Sequence, residues 1–352
     1  MPKRQLKILI AGLGNMGMSH AKACQLHPGF DVVGLVNRSP VALPDVLRNI
    51  PVHTDFMSAL ESVDCDVVSI NTYSDSHAQY AIAAMEKGKH VFLEKPMATT
   101  VADAERVVDV AMRNNCKLVV GYILRHHPSW VRLIQEARDL GGPYVFRLNL
   151  NQQSSGATWN THQQLMQSTS PLVDCGVHYV DVMCQITDAL PVQVNGMGLR
   201  LSESLQPDMY NYGHFQVRFD DGSVGWYEAG WGPMMSETAF FVKDIISPKG
   251  AVSIVMDDNV RSDDIDAHTR TSRIRIHRAE LNDSGDFAKP DVLLDMHDEP
   301  DHQALCDREQ AFLYDSIVDD LDLTRHWRDA VQSLRVCIAA DVSVRSGQPV
   351  DL

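Results

Sequence analysis

No run of apolar residues in this chain approaches the length needed to cross a bilayer, which excludes a membrane-spanning helix. Positive charge is scarce: 31 Lys and Arg face 46 Asp and Glu, a formal net charge of −15. That balance repels nucleic acid and anionic membrane surfaces, and no basic patch interleaved with aromatics offsets it. Paired cysteine motifs are missing too. The seven cysteines, at 24, 65, 116, 175, 184, 306 and 337, are odd in number, scattered and without a Cys-x-x-Cys. They are expected to be reduced structural thiols in a cytoplasmic protein, and no metal site is expected. There is no internal repeat and no low-complexity tract. The basic start Met1-Pro2-Lys3-Arg4 lacks the apolar stretch of a signal peptide, because the run behind it is short and ends in glycines; it reads as a mature N-terminus.

What is present begins with those glycines. From Leu6 to Gly17 the chain reads L-K-I-L-I-A-G-L-G-N-M-G, an apolar strand feeding glycines at 12, 14 and 17. In a dinucleotide-binding turn the first glycine permits the sharp reversal from strand to helix. The second lets backbone approach a pyrophosphate, and the third lets the helix pack closely on the sheet. A helix start there also offers free N–H groups and a positive dipole end to an anion. Gly12, Gly14, Asn15, Met16 and Gly17 are therefore the expected pyrophosphate contacts. A second strand, Asp31 to Val36, ends at Asn37-Arg38-Ser39, where an NAD site usually carries a carboxylate for the ribose 2′-hydroxyl. Here Asn37 is left to bond a ribose oxygen, and Arg38 suits a 2′-phosphate. The pair tilts the expected cofactor toward NADP, with NAD as the alternative.

At 352 residues the chain is long enough for two domains. Residues 1–122 alternate strand and helix patterns, with strands at Lys7–Ala11, Asp31–Val36, Val67–Asn71, His90–Leu93 and Lys117–Gly121. Helical stretches include Met18–Leu26, Ser76–Lys87 and Val101–Asn114. This predicts a doubly wound α/β Rossmann domain. Residues 123–352 predict an α+β domain with a large, mostly antiparallel open sheet. Its strands are expected at Tyr144–Asn151, Gln193–Leu201, Tyr212–Phe219 and Val224–Gly230, the last two joined at Asp220-Asp221-Gly222-Ser223 as a hairpin. The acidic stretch Leu281–His302 reads as a surface loop. Arg325–Ser346 reads as a C-terminal helix, expected to pack back on the first domain.

Three further segments carry chemistry. Val91-Phe92-Leu93-Glu94-Lys95-Pro96 places a lysine at the carboxyl end of a strand, where doubly wound sheets bind ligands. It reads either as a proton donor held by proline or as a salt-bridging residue. Ser170-Pro171 starts a helix on which Asp174, His178 and Asp181 are expected to share one face. A carboxylate one turn from an imidazole suits proton removal from a hydroxyl; the alternative is a polar face turned to water. Gly121–Pro128 contains adjacent His126 and His127, which point apart on any regular element and do not suggest a metal.

Together, E-K-P at 94–96 and D-x-G-x-H-x-x-D at 174–181, behind G-x-G-x-M-G, resemble the glucose-fructose oxidoreductase, inositol dehydrogenase and MocA (Gfo/Idh/MocA) family. Thr72–His77 is similar to the family's T-P-N-x-x-H, Gly121–Pro128 to its G-Y/F-x-x-R-x-x-P, and Ala339–Val350 to its closing segment. The resemblance implies an NAD(P)-dependent oxidoreductase acting on a secondary alcohol or ketone of a sugar or cyclitol. It casts Lys95 as the lysine that contacts the reacting oxygen, Asp174 as the substrate carboxylate and His178 as the acid-base group. Thr72, His77, Glu94, Lys95, Pro96 and Arg125 are implied near the cofactor. Tyr122 and Trp159 join Lys95, Asp174 and His178 as substrate contacts, and Trp226, Tyr227 and Trp231 are candidates for stacking on a sugar ring. A homodimer or homotetramer is implied as well. Tyr73, Ser74 and Ser168–Pro171 depart from the family pattern and leave the substrate open. Two other readings remain: a glycoside-cleaving enzyme using transient ring oxidation with retained cofactor, and a non-catalytic sugar or nucleotide sensor.

Overall fold

A computed structural model describes residues 4–236, 242–256, 271–297 and 299–352, so Met1–Lys3 of the basic start lie outside the described residues. The chain forms two compact units. The first runs to Ile123 and takes in Pro300–Val331; the second comprises Leu124–Glu299 and Gln332–Leu352.

The first unit is built on a parallel sheet of β1 (Leu6–Ala11), β2 (Phe30–Val36), β3 (Val52–His53), β4 (Val67–Ile70), β5 (His90–Leu93) and β6 (Leu118–Val120), in the order β3-β2-β1-β4-β5-β6. This is the doubly wound order expected, extended by the short edge strand β3. The central strands are apolar without alternation, and Val67–Ile70 is wholly buried, because helices cover both faces of a parallel sheet. The helices are α1 (Asn15–Leu26), α2 (Phe56–Ser62), α3 (Ser74–Glu86) and α4 (Val101–Arg113). α4 shows why these segments coil: Thr100 caps it through the Asp103 N–H at 3.1 Å. Its Ala104, Val107, Val110 and Ala111 then form one buried face at helical spacing.

α9 (His302–Val318) and the first turns of α10 (Thr324–Ser346) belong to this unit, so the C-terminal helix does not pack back as a whole; the division falls inside it. Tyr314 of α9 packs edge-on to Phe30 and donates its hydroxyl to the Arg4 carbonyl at 2.9 Å. The Trp327 indole N–H donates to the Leu118 carbonyl at 2.7 Å.

The intervening helices of the second unit are α5 (Pro128–Leu140), α6 (Gly156–Leu165), α7 (Pro171–Asp174) and α8 (Gly176–Ile186). Its sheet holds β7 (Val145–Gln153), β8 (Pro191–Leu199), β9 (Tyr212–Phe219), β10 (Val224–Gly232), β11 (Lys243–Ser247), β12 (Gly250–Val255), β13 (Arg273–Arg278), β14 (Val292–Asp295) and β15 (Val350–Asp351). Among the described residues the order is β14-β13-β12-β11-β7-β10-β9-β8-β15, antiparallel except where β10 runs parallel to β7. The hairpin at Asp220–Ser223 is present, with the Ser223 N–H on the Asp221 carboxylate at 2.8 Å. Leu281–His302 is not simply a surface loop. Val292–Asp295 pairs with β13 through backbone hydrogen bonds that its acidic composition does not hinder at a solvated edge.

Candidate active site

In the first unit, the loops at the carboxyl ends of β1, β2, β4 and β5 carry the candidate cofactor residues. Gly12 has φ +85°, a left-handed conformation that favours glycine. A Cβ on Gly17 would collide with the Gly12 carbonyl oxygen, whereas one on Gly14 would meet nothing within 4 Å. α1 starts with no side-chain cap and no acidic residue in its first turn. Its leading N–H groups, at Asn15 and Met16, lack intrahelical acceptors. An open glycine beside uncapped amides fits a pyrophosphate. We expect Gly14→Ala to leave the melting temperature unchanged and weaken nucleotide binding by about tenfold. Gly17→Ala is expected to cost at least ~1–3 kcal/mol of stability, the scale of overpacking. Thermal unfolding beside a nucleotide titration separates the two.

Asn37 braces this turn. Its Oδ1 accepts from the Leu13 N–H at 3.1 Å and its Nδ2 donates to the Ser39 carbonyl at 2.7 Å. Arg38 is exposed just beyond it. His77 sits between two backbone carbonyls, 3.0 Å from Thr72 and 2.8 Å from Pro96, and so ties the loop after β4 to the loop after β5. Burial lowers its pKa; the two carbonyls pull the other way and are outweighed. The Thr72 and Ser76 hydroxyls share a 2.6 Å hydrogen bond.

Lys95 is half-buried and Lys95–Pro96 is a cis peptide. Glu94 points inward, accepting from the Lys95 N–H at 3.0 Å and facing His20 Nε2 at 2.8 Å. Burial pushes its pKa up, but the hydrogen bond from His20, with the Lys95 charge and amide, more than compensates, so Glu94 lies below the usual range. Tyr122 is 1 % exposed, packed edge-on to His326. The sequence expectation of a substrate contact there meets a core residue instead.

In the second unit Asp174 and His178 are half-buried, but they do not lie on one continuous helix. Asp174 closes the four-residue α7, and α8 begins after Cys175. Asp181 is wholly buried rather than turned to water. Its carboxylate takes the Arg125 fork, Nε at 2.8 Å and Nη2 at 2.5 Å, and the Gln185 amide at 3.0 Å. The guanidinium expected near a cofactor is thus engaged within its own unit. Tyr227 and Trp231 are also corrected: both are at most 1 % exposed. Tyr227 stacks on Tyr179, and Trp231 stacks on His162 while donating to Gln152 Oε1 at 2.7 Å. Trp159 on α6 is half-buried.

His162 is a residue the motifs did not reveal, since no spacing pattern links it to the Asp174 segment. Its Nδ1 lies 2.9 Å from the Ser154 hydroxyl. Burial lowers its pKa to about 4, with the Asp174 charge pulling upward and losing. Trp226 alternates with Tyr227 and so faces the other side of the sheet. There it lines a cleft of about 710 Å³ with Arg147, Gln216 and Asn195, away from Asp174 and His178.

Two family models match in succession: the oxidoreductase family with NAD-binding Rossmann fold over residues 6–122, and the GFO/IDH/MocA C-terminal domain over residues 130–241. The chain belongs to the GFO/IDH/MocA family. Among curated relatives, the inositol 2-dehydrogenase of Klebsiella pneumoniae subsp. pneumoniae is 30% identical over 188 residues, 51% of this chain and 53% of the relative. In that match and those to other inositol 2-dehydrogenases, the chain spans about half the length of the relatives. The scyllo-inositol 2-dehydrogenase (NAD(+)) of Bacillus subtilis is 26% identical over 99% of this chain and 97% of that protein. Among solved structures, scyllo-inositol dehydrogenase from Lactobacillus casei with bound NAD(H) and scyllo-inositol has a TM-score of 0.76 at 21% identity, covering 99% of each chain. This structural likeness shows a shared fold. Among the described residues, no helix is long and apolar enough to cross a membrane, and all seven cysteines are buried thiols outside any disulfide.

Proposed function

We propose that this protein is an NAD(P)-dependent dehydrogenase that moves a hydride between the nicotinamide and a secondary alcohol or ketone of a sugar or cyclitol. The observation that carries the reading is the place of Lys95. It stands at the carboxyl end of β5, in the same sheet whose β1–α1 turn presents an open glycine and an uncapped helix start. Ligands of doubly wound sheets bind at those strand ends. The bound nicotinamide supplies the hydride acceptor, chemistry no side chain offers. In this reading the Lys95 ammonium polarises the reacting oxygen, His178 takes the hydroxyl proton, and the Asp174 carboxylate orients the substrate. Gly12, Gly14, Asn15, Met16 and Gly17 would hold the pyrophosphate, and Asn37 and Arg38 the adenosine ribose. Self-association through the second sheet is part of the proposal; Met197 and Leu199 of β8 are more than half exposed on its edge region.

The test is a polyol screen following reduced cofactor, headed by inositols because relatives bear that name, and run with NAD⁺ and NADP⁺ in parallel. A ketone formed with stoichiometric NAD(P)H supports the reading. Release of an aglycone with no net reduced cofactor would replace it with transient oxidation. Because position 37 has no carboxylate to repel a 2′-phosphate, NADP is expected to bind at least as tightly as NAD. Strong NAD preference in a titration would remove Arg38 from the site. Asn37→Asp is expected to shift preference toward NAD, and also to loosen the turn, since a carboxylate cannot donate to the Ser39 carbonyl.

A further inference from the structure

Behind Lys95, within the first unit, polar side chains from α1, β5 and α9 meet in an otherwise apolar interior. His20 is fully buried, Glu94 is 5 % exposed and Gln310 is fully buried. The Cys24 thiol lies 3.3 Å from Gln310 Oε1, and Gln310 Nε2 lies 3.0 Å from His20 Nδ1. His20 Nε2 is 2.8 Å from Glu94 Oε1, and Glu94 Oε2 accepts from the Lys95 N–H at 3.0 Å. The direction of this chain is set at its far end. Burial, reinforced by the Asp307 charge, pushes the Cys24 thiol up and keeps its proton on sulfur. A thiol donor turns the Gln310 oxygen toward Cys24 and the amide nitrogen toward His20. Nδ1 must then accept, which leaves the ring proton on Nε2, aimed at Glu94.

We propose that His20 is a positioning residue: its Nε2–H, set by Gln310, holds the Glu94 carboxylate in the one orientation that also pins the Lys95 main-chain N–H. Glu94 cannot turn to follow a different partner without releasing Lys95. Glu309 closes the far side, with a carboxylate oxygen 4.0 Å from His20 Nε2. Burial and the neighbouring Glu94 raise its pKa well above the carboxylate range, so it adds no competing charge. His20, Cys306 and Glu309 place three ligand-type atoms within 4.8 Å of one another. The hydrogen bond from Nε2 to Glu94 makes His20 a donor there rather than a metal ligand.

The link to catalysis rests on the dehydrogenase reading, whereas the hydrogen-bond chain can be measured without any substrate. Long-range ¹H–¹⁵N spectra of the protein labelled in histidine, with His20 assigned through His20→Gln, are expected to show the proton on Nε2. Gln at position 20 can accept from Gln310 and donate to Glu94, and Leu can do neither. Exchange of the Lys95 amide hydrogen is expected to speed up by about tenfold or more in His20→Leu and to stay near the unmodified rate in His20→Gln. With an active polyol, kcat should fall by about tenfold or more in His20→Leu and recover in His20→Gln, with nucleotide Kd and polyol KM little changed. A ring proton on Nδ1, equal Lys95 exchange in both variants, or a stoichiometric metal ion in the purified protein would overturn the proposal. If the unmodified protein oxidises no polyol while the tautomer and exchange results hold, the dehydrogenase reading fails and the positioning of Lys95 stands.

Discussion

Lys95→Ala is expected to lose about 10²–10⁴-fold in hydride transfer from a polyol, the scale of a positioned acid-base group, while still folding and binding nucleotide. The loss follows from differential stabilisation. A compact ammonium beside the reacting oxygen does most where negative charge develops, so its removal falls on kcat more than on KM. Survival of the fold follows from the local structure. The side chain is half-buried, and the main chain at Lys95 is held by Glu94 through the backbone N–H, which alanine keeps. Lys95→Arg should rescue poorly, because a planar fork does not reproduce a compact proton donor. His178→Ala should show the same pattern at about 10²-fold or more. Single-turnover hydride transfer beside a cofactor titration is the measurement. Unchanged transfer in Lys95→Ala would sink the assignment.

Replacing Arg125 by Met should destabilise the protein by about 3–5 kcal/mol, the cost of stranding a buried charge. The Asp181 side chain is 1% exposed and the Arg125 side chain 16%, and the two are joined by both arms of the fork. Without the guanidinium, Asp181 keeps only the Gln185 amide among these partners. A carboxylate that has lost its guanidinium in that interior either pays more of its desolvation or takes up a proton. The double variant Arg125→Met, Asp181→Leu should recover most of the loss, because two apolar side chains need no partner. Denaturant unfolding of the two single variants and the double gives the coupling. A loss below about 1 kcal/mol for Arg125→Met would make this an ordinary surface pair. An accompanying loss of nucleotide affinity in the double variant would restore Arg125 to the cofactor.

The parts that could be read in advance are those whose physics is local. The glycine spacing at 12, 14 and 17 works because the collision between a Cβ at 17 and the carbonyl of residue 12 is settled within six residues. The hairpin at Asp220–Ser223 is likewise decided by its own turn. β13 carries a local signal as well: Arg273–Arg278 reads R-I-R-I-H-R, with Ile274 and Ile276 buried at period two. β3 and β14 offered no such signal. Val52–His53 is two residues long, and Val292–Asp295 lies in an acidic tract, so both are strands only because a neighbouring edge supplies their hydrogen bonds.

By itself, then, the sequence determined the fold class and the glycine turn, and it supplied the lysine, aspartate and histidine motifs on which the family resemblance rests, because each is written in short-range spacing. Tertiary structure alone decided the partners. Asp181 shares a helical spacing with His178, yet pairs with Arg125, 56 residues away. Tyr227 and Trp231 have the chemistry to stack on a sugar, yet they fill the core. His20 meets Gln310 across 290 residues. Periodicity tells which side of an element is buried; which polar group awaits it there depends on how distant elements pack, and burial makes that choice costly to change.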